Sequence, residues 1–213
     1  GVIRIEYKQG TDGLIDAVRI FNVASYLAHE GLVIECPELG ELKIDVAYGG
    51  NYYAIIDPQK NFAGLDQFSA AQVLRYSPLI RTAINKLATC VHPENPSVNG
   101  ISHVMWTGKP STQGSSGANA VFYGTGAIDR SPCGTGTSAR MAQLHAKGLL
   151  KEGEAFVHES IIGSQFIGHV ESTTFVGSHR GIKPSIQGWA KVTGYNTIIV
   201  DPRDPYAHGF EVN

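Results

Sequence analysis

Short segments in which apolar and polar residues alternate recur along most of this sequence, and they constrain its fold more than any other feature. A period of two is typical of half-buried β-strands, and these segments are bounded by Gly, Pro, Asn or Asp, which favour turns. The predicted strands cover residues 2–7, 17–22, 31–36, 41–47, 52–57, 101–106, 119–123, 155–161, 165–171, 185–193 and 196–201. A chain with this pattern is expected to form an extensive sheet.

Only two segments have the pattern of helices. The first runs over about residues 69–88, with Ser69 as its N-cap and with Pro78 predicting a kink or break. The second covers about residues 136–150 and has apolar or small side chains around most of its circumference, which is typical of a buried helix. Because strands flank this helix on both sides and do not alternate regularly with helices, we predict an α+β fold with a sheet curled around it.

Length and composition narrow the class of protein. At 213 residues the chain is long enough for a substantial core. Its 17 basic and 19 acidic side chains nearly balance, so the basic surface typical of nucleic-acid-binding proteins is missing. The longest apolar run, residues 52–56, is too short to cross a bilayer, and no signal peptide precedes it. We therefore expect a cytoplasmic protein that binds neither nucleic acid nor membrane.

The cysteines and histidines do not form a pattern of cross-links or metal ligands. The three cysteines, Cys36, Cys90 and Cys133, are widely spaced and odd in number, so they predict neither a disulfide framework nor a zinc site. The histidines have no HxH or HExxH spacing. We expect free thiols in a reducing compartment and no bound metal.

One segment between predicted strands has a distinct composition. Residues 107–118 are rich in Gly and Ser, which is typical of mobile loops. We predict that this loop is a surface excursion or part of a lid.

The segment most informative about chemistry is Asp129-Arg-Ser-Pro-Cys-Gly-Thr-Gly-Thr-Ser-Ala139. A helix is predicted to begin directly after Cys133, and the unpaired N–H groups and dipole at a helix N-terminus favour negative charge. They can lower the pKa of a thiol from about 8.5 toward roughly 3.5–7.5, which makes thiolate available at neutral pH. The same N–H groups can hold a carboxylate or phosphate. Cys133 is therefore a candidate base beside an anion-binding site.

Other interpretations of this segment stay open at this point. Gly134-Thr-Gly-Thr-Ser-Ala139 fits the GxGxxA variant of the dinucleotide fingerprint, although no parallel crossover is predicted after it. The stretch from Cys133 to Arg140 has some likeness to the thiolate loop of phosphatases, but six residues separate the two side chains. A buried, inert cysteine that caps a core helix is the remaining alternative.

The same residues carry a resemblance to a known family. The segment from Asp129 to Ala139 resembles the C-terminal signature of the proline racemase family, which includes 4-hydroxyproline 2-epimerases. Three further motifs follow the family order: Ala47-Tyr-Gly-Gly-Asn-Tyr-Tyr-Ala-Ile-Ile-Asp57, His92-Pro-Glu-Asn-Pro96 and Thr193-Gly-Tyr-Asn-Thr-Ile-Ile-Val-Asp-Pro-Arg-Asp-Pro-Tyr-Ala-His-Gly-Phe210. The resemblance implies a diaminopimelate epimerase-like fold, in which two similar domains each curl a mostly antiparallel sheet around a central helix.

The resemblance also implies a reaction, the cofactor-independent inversion of the α-carbon of a proline-type amino acid. In this family one cysteine thiolate removes the α-proton, and a second cysteine thiol on the opposite face returns one. By this match Cys133 is one acid/base. The backbone N–H groups of Gly134 and Thr135 hold the substrate carboxylate. Asp129 binds the ring amine, and His103 matches a histidine at the substrate site.

The expected substrate is a small molecule. Overall resemblance favours 4-hydroxyproline, with proline or 3-hydroxyproline as alternatives. A homodimer is retained as a candidate assembly. The alternative of another class is a non-catalytic or nucleotide-binding domain.

The sequence departs from the family pattern in one respect. The second family cysteine belongs to an upstream Cys-Gly-His motif, and this sequence contains no such triplet. Cys36 and Cys90 lack a Gly-rich helix start, so we expect each to be a small buried hydrophobe. The resemblance implies that roughly the N-terminal third of the family chain is missing here and that this fragment alone is inactive. Residues 1–45 would then complete the first domain, 46–195 would form the second, and 196–213 would return to the first.

Overall fold

The computed structural model describes residues 2–209 of the chain. The strands are β1 Arg4–Gln9, β2 Ile15–Phe21, β3 Ser25–Cys36, β4 Gly40–Tyr48, β5 Tyr52–Ile56, β6 Val91–His92, β7 Asn95–Asn99, β8 Ile101–Gly108, β9 Gly117–Tyr123, β10 Ala127–Ile128, β11 Ala155–Ser160, β12 Gln165–Val176 and β13 His179–Gly188. The helices are α1 Ala70–Leu87 and α2 Gly134–Ala146, with a 3₁₀ turn at Leu65–Gln67.

Most of the strands belong to one sheet that closes on itself. The order β3-β4-β5-β8-β9-β11-β12-β13 is completed by a second pairing of β13 with β3. The pairs β5–β8 and β9–β11 are parallel, and the other neighbours in this ring are antiparallel. The hairpin of β1 and β2 extends from β13, and β10 adds to β9. The predicted curled, mostly antiparallel sheet is therefore present.

Helix α2 lies inside the closed sheet. It packs against β3, β4, β5, β12 and β13, and every residue from Gly136 to Gln143 except Arg140 is buried, most of them small. Small side chains let the surrounding backbone come close: a Cβ on Gly49 would lie 2.2 Å from the carbonyl oxygen of Thr135. The sheet around a buried second helix was predicted correctly. The helix begins two residues earlier than predicted and ends at Ala146, before Gly148, whose φ is +73°.

Helix α1 packs on the outer face of the sheet. Ser69 is its N-cap, as predicted, and forms a capping box with Gln72. The helix continues through Pro78, so the predicted break is absent. Its buried face meets Trp106, whose Nε1 donates to the Ser77 hydroxyl at 2.9 Å. Alternate side chains of β5 belong to the core cluster that includes α1 and to the one that includes Ala139 of α2, so this strand is buried throughout.

Three predictions about connectivity and strands were wrong. No parallel crossover was predicted around α2, yet β9 and β11 are parallel neighbours joined through it. The strand predicted at 196–201 is absent from the described residues, because this segment pairs with no other strand and its apolar side chains are exposed. The strand predicted at 185–193 ends at Gly188. Phe210, at the end of the third family-like motif, lies outside the described residues.

The expected domain boundary between residues 45 and 46 falls inside β4. Strands β3 and β4 both belong to the closed sheet, and β3 pairs with β13 as well as with β4. Residues 25–48 therefore share a core with the segment that follows them. Within residues 2–209, neither helix combines the length and the apolar character that a membrane crossing needs.

Candidate active site

Cys133 is the N-cap of α2, and its backbone adopts an unusual conformation. Its φ of 62° and ψ of 114° place it in a region that residues other than glycine rarely adopt. Three hydrogen bonds hold the turn: Asn119 Nδ2 donates to the Pro132 carbonyl at 2.8 Å, Cys133 N donates to Ser131 Oγ at 3.1 Å, and Thr137 N donates to the Cys133 carbonyl at 2.7 Å. The thiol is thus fixed relative to the helix N-terminus.

A buried histidine supports this turn from behind. His158 Nδ1 lies 3.0 Å from Thr137 Oγ1 and 3.3 Å from Asn119 Nδ2. Burial, and secondarily the charge of Arg140, lowers the pKa of His158 to about 3, so the ring is neutral. This role could not be predicted from the sequence, because the three side chains come from different elements.

The N-terminus of α2 opens toward solvent. The first N–H groups of a helix have no partner within the helix, and a Cβ on Gly134 would meet no other atom within 4 Å. A cleft of about 340 Å³ lies beside Gly134 and Thr135. Its lining is mainly apolar and consists of Val18, Ile20, Asn22, Ser131, Gly134, Thr135, Phe166, Ile186, Gly188, Trp189 and Ala190. The helix terminus is therefore accessible to a small anionic ligand.

Two hydroxyl groups surround the sulfur of Cys133. Tyr53 Oη lies 3.2 Å from Cys133 Sγ and 2.6 Å from Thr135 Oγ1, and Thr135 Oγ1 lies 3.8 Å from the sulfur. Cys133 is 9% exposed, and Tyr53 is fully buried. Tyr53 was not among the site residues predicted from the sequence.

The lowered pKa predicted for Cys133 is wrong for this arrangement. Burial raises the pKa of the thiol, while hydrogen bonds from Tyr53, the Gly136 N–H and Thr135 lower it, and the nearby Asp129 carboxylate raises it. Desolvation outweighs the donors, so the pKa lies above its ordinary value. Cys133 is therefore a thiol at neutral pH.

Asp129 and His103 lie in the same region as Cys133. Asp129 Oδ1 accepts from Ser131 N at 2.8 Å and from Ser131 Oγ at 2.9 Å, so this carboxylate also shapes the turn before the cysteine. His103 is the register partner of Tyr53 in the parallel pair β5–β8, and the two ring centroids are 4.8 Å apart. The charge of Asp129 acts on both Cys133 and His103. The fold thus brings together the five residues Cys133, Asp129, Gly134, Thr135 and His103.

The His103 ring is neutral and oriented by a neighbour. Burial lowers its pKa, the charge of Arg81 lowers it further, and Asp129 opposes both. Ser102 Oγ lies 2.7 Å from His103 Nδ1, and the ring of Tyr123 stacks at 6.3 Å between centroids. The His103 ring therefore lies between Tyr53 and Tyr123, and Ser102 contacts one of its two nitrogens, Nδ1.

The remaining cysteines are remote from this chemistry. Cys36 and Cys90 are free and belong to the large core cluster between α1 and the sheet. Burial raises the pKa of Cys36 and raises that of Cys90 to about 11. Both behave as the small buried hydrophobes predicted from the sequence. Among residues 2–209, no group of three or more His, Cys, Asp or Glu side chains is arranged to bind a metal ion.

Comparison with known proteins identifies relatives of this chain. The family model described as proline racemase matches residues 1–211. A 4-hydroxyproline 2-epimerase from Shewanella loihica is 59% identical over 212 residues, which covers 100% of this chain and 63% of the relative. The chain therefore spans slightly less than two thirds of the length of that relative.

Two solved structures share the fold. A probable proline racemase from Agrobacterium radiobacter K84, with bound carbonate, superimposes with a TM-score of 0.89 and 34% identity over 100% of this chain and 62% of its own. A hydroxyproline epimerase from Agrobacterium vitis, with bound trans-4-hydroxy-L-proline, gives a TM-score of 0.88 and 31% identity over 100% and 60%.

Proposed function

Because this chain belongs to the proline racemase family, we propose that it carries one half of the active site of a 4-hydroxyproline 2-epimerase. The observation that carries the proposal is a thiol held at an accessible helix N-terminus, beside a carboxylate and two N–H groups without helical partners. Its 59% identity to an epimerase of that name supports the choice of substrate. Proline and 3-hydroxyproline are the alternative substrates.

The helix N-terminus binds and activates the substrate. The N–H groups of Gly134 and Thr135 receive the substrate carboxylate, whose charge the helix dipole favours. Donors aimed at the oxygen atoms on which charge develops stabilise the deprotonated α-carbon. The hydrogen bonds described for the Asp129 carboxylate use Oδ1, and we assign Oδ2 to the ring ammonium of the substrate.

Cys133 transfers the proton on its face of the substrate. In one direction a base on the opposite face removes the α-proton, the Cys133 S–H bond breaks, and a new Cα–H bond forms on the Cys133 side. In the reverse direction the Cys133 thiolate takes the proton back. A raised pKa suits Cys133 to hold the proton in the resting enzyme. The opposite base belongs to a part of the protein outside this chain.

His103 contacts the substrate at its ring. A neutral imidazole, fixed at Nδ1 by Ser102, presents an uncharged hydrogen-bonding nitrogen. That suits an uncharged polar group such as a ring hydroxyl better than a charged one.

The chain contributes to a diaminopimelate epimerase-like pair of domains. We propose that β3 and β4, which share the closed sheet, belong with residues 46–195 to the second domain, and that the β1–β2 hairpin and the tail from residue 196 contribute to the first. The apolar side chains of the β1–β2 hairpin and of the tail support the assignment: Ile5 is 58% exposed, Tyr7 68%, Ile198 84% and Ile199 85%. Exposed apolar surface on this scale is typical of an interface. The cytoplasmic location and the homodimer stay predictions.

The proposal is tested in the full-length protein by exchange of the substrate α-proton in deuterated water. We expect Cys133→Ser to abolish exchange from at least one stereoisomer of 4-hydroxyproline, with the circular dichroism spectrum unchanged. Cys36→Ala, which alters a buried thiol far from the site, is the matched control and should retain exchange. Unchanged exchange from both stereoisomers in Cys133→Ser would make Cys133 structural.

A binding measurement separates this function from the nucleotide-binding alternative. Pyrrole-2-carboxylate is a planar mimic of the deprotonated proline ring, and we expect calorimetry to detect its binding. Binding of NAD without binding of the pyrrole acid would overturn the proposal.

A further inference from the structure

We propose that Tyr53 is a positioning residue for proton transfer at Cys133, because its hydroxyl turns from Thr135 to the sulfur when the thiol loses its proton. The inference deepens the proposed function, on which it rests for the role of Cys133 as a proton carrier. It concerns a side chain 80 positions away in sequence that the motif around Cys133 does not include.

The Tyr53 hydroxyl lies between Thr135 and Cys133, with the Asn51 side chain as a further hydrogen-bond partner, and it has one proton to donate. Tyr53 Oη lies 2.6 Å from Thr135 Oγ1 and 3.2 Å from Cys133 Sγ, while Thr135 Oγ1 lies 3.8 Å from the sulfur. A phenolic hydroxyl has one O–H and can also accept. With one donor hydrogen, it donates to one of these neighbours at a time.

The protonation state of Cys133 decides which neighbour receives the hydrogen. When Cys133 is a thiol, its S–H points to Tyr53 Oη, and Tyr53 donates to Thr135 Oγ1. When Cys133 is a thiolate, the Tyr53 O–H donates to the sulfur, and Thr135 donates to Tyr53 Oη. No proton leaves Tyr53 in this exchange: its O–H rotates about the Cζ–Oη bond, and the Thr135 O–H reorients to donate to Tyr53.

The surroundings keep Tyr53 in the donor form and in place. Burial raises its pKa well above the ordinary value, and the Cys133 charge raises it further, so the phenol does not ionise beside the thiolate. Its ring is fully buried and lies against His103. Because the ring is fixed and only hydroxyl hydrogens reorient toward the developing charge, the proton transfer needs little reorganisation of the protein.

The pH dependence of Cys133 alkylation tests the inference. Full-length wild type, Tyr53→Phe and Tyr52→Phe would each be treated with iodoacetamide across a pH series, with modification of the Cys133 peptide followed by mass spectrometry. Tyr52 is the matched control, because it is equally buried on the neighbouring position of β5, but its hydroxyl lies 2.6 Å from that of Tyr26.

We expect Tyr53→Phe to raise the midpoint of alkylation by about one to two pH units, since a hydrogen bond to a charged group is lost. Tyr52→Phe should leave the midpoint unchanged. A rise of less than about half a unit in Tyr53→Phe, or an equal rise in both variants, would overturn the inference.

A second variant covers the case in which Tyr53→Phe does not fold. Site-specific 3-fluorotyrosine at position 53 keeps the hydroxyl and makes it a stronger donor, so the midpoint should fall; an unchanged midpoint would overturn the inference. Alkylation needs no substrate. A failure here is therefore distinguishable from a failure of the proposed epimerase function, which the deuterium exchange reports.

Discussion

Glu159→Gln is expected to destabilise the chain strongly at neutral pH, because one buried carboxylate anchors the loop between β8 and β9. Glu159 is 2% exposed at the end of β11. Its Oε1 accepts from Ser111 N at 3.1 Å and from Ser111 Oγ at 2.5 Å, and its Oε2 accepts from Thr112 N at 3.0 Å. Glutamine keeps one acceptor oxygen but directs an NH₂ group at a donor.

The magnitude follows from the pKa of this carboxyl. Burial alone would raise the pKa of Glu159, but the hydrogen bonds from Ser111, Thr112 and Ser115 outweigh it and lower the pKa from 4.5 to about 2. A shift of about 2.5 units corresponds to roughly 3 kcal/mol of folding free energy. Because the folded-state pKa is the lower one, this stabilisation is complete above about pH 5 and is lost as the pH falls toward 2.

Denaturant unfolding at several pH values measures the effect. At pH 7, Glu159→Gln should lower the free energy of unfolding by about 3 kcal/mol, and at pH 3 the difference from wild type should shrink to roughly 1.5 kcal/mol. Glu154→Gln is the control, because Glu154 is exposed and accepts a single backbone hydrogen bond, from Lys151. A loss below about 1 kcal/mol at pH 7, or one independent of pH, would refute the reasoning.

Two further predictions concern the packing of α2. Gly49→Ala would place a Cβ 2.2 Å from the Thr135 carbonyl oxygen, so we expect this variant to lose its cooperative thermal transition. The control Gly126→Ala, whose Cβ would meet no neighbour within 4 Å, should shift Tm little. A stable Gly49→Ala protein would contradict the close approach. Lys147→Met leaves the buried carboxylate of Asp45 without its ion pair, so it should lower the free energy of unfolding in urea by about 3–5 kcal/mol. If the double mutant Lys147→Met/Asp45→Asn recovers none of this free energy, the loss is not electrostatic.

The sequence was sufficient where local patterns determine the structure. The small residues after Cys133 predicted a buried helix, and Ser69 as an N-cap residue predicted the start of α1. The five site residues predicted from the family resemblance lie in one region, because the strand–turn–helix around Cys133 is encoded locally and His103 follows from its register beside Tyr53.

The sequence was insufficient where distant elements determine the result. The parallel pairing of β9 with β11 depends on α2 passing through the interior, and alternation along one strand does not report its partner. The support of the Pro132 carbonyl by Asn119 and Thr137, with His158 behind them, is equally non-local. The strand predicted at 196–201 was wrong because alternating apolar residues indicate that a segment is to be buried but do not indicate which element buries it.

The pKa of Cys133 depends on the same placement of α2 that exposes its first N–H groups. A helix N-terminus on the protein surface would lower the pKa of a capping thiol, but here the closed sheet also removes water from the sulfur, and desolvation is the larger effect. In the proposed epimerase, inversion requires one acid and one base at any moment, so the two bases of the active site must differ in protonation. A buried Cys133 keeps its proton at rest and leaves the role of initial base to the opposite face. The hydrogen bonds from Tyr53 and the Gly136 N–H stabilise the thiolate that forms once this proton has been delivered, which makes the reverse reaction accessible through the same sulfur.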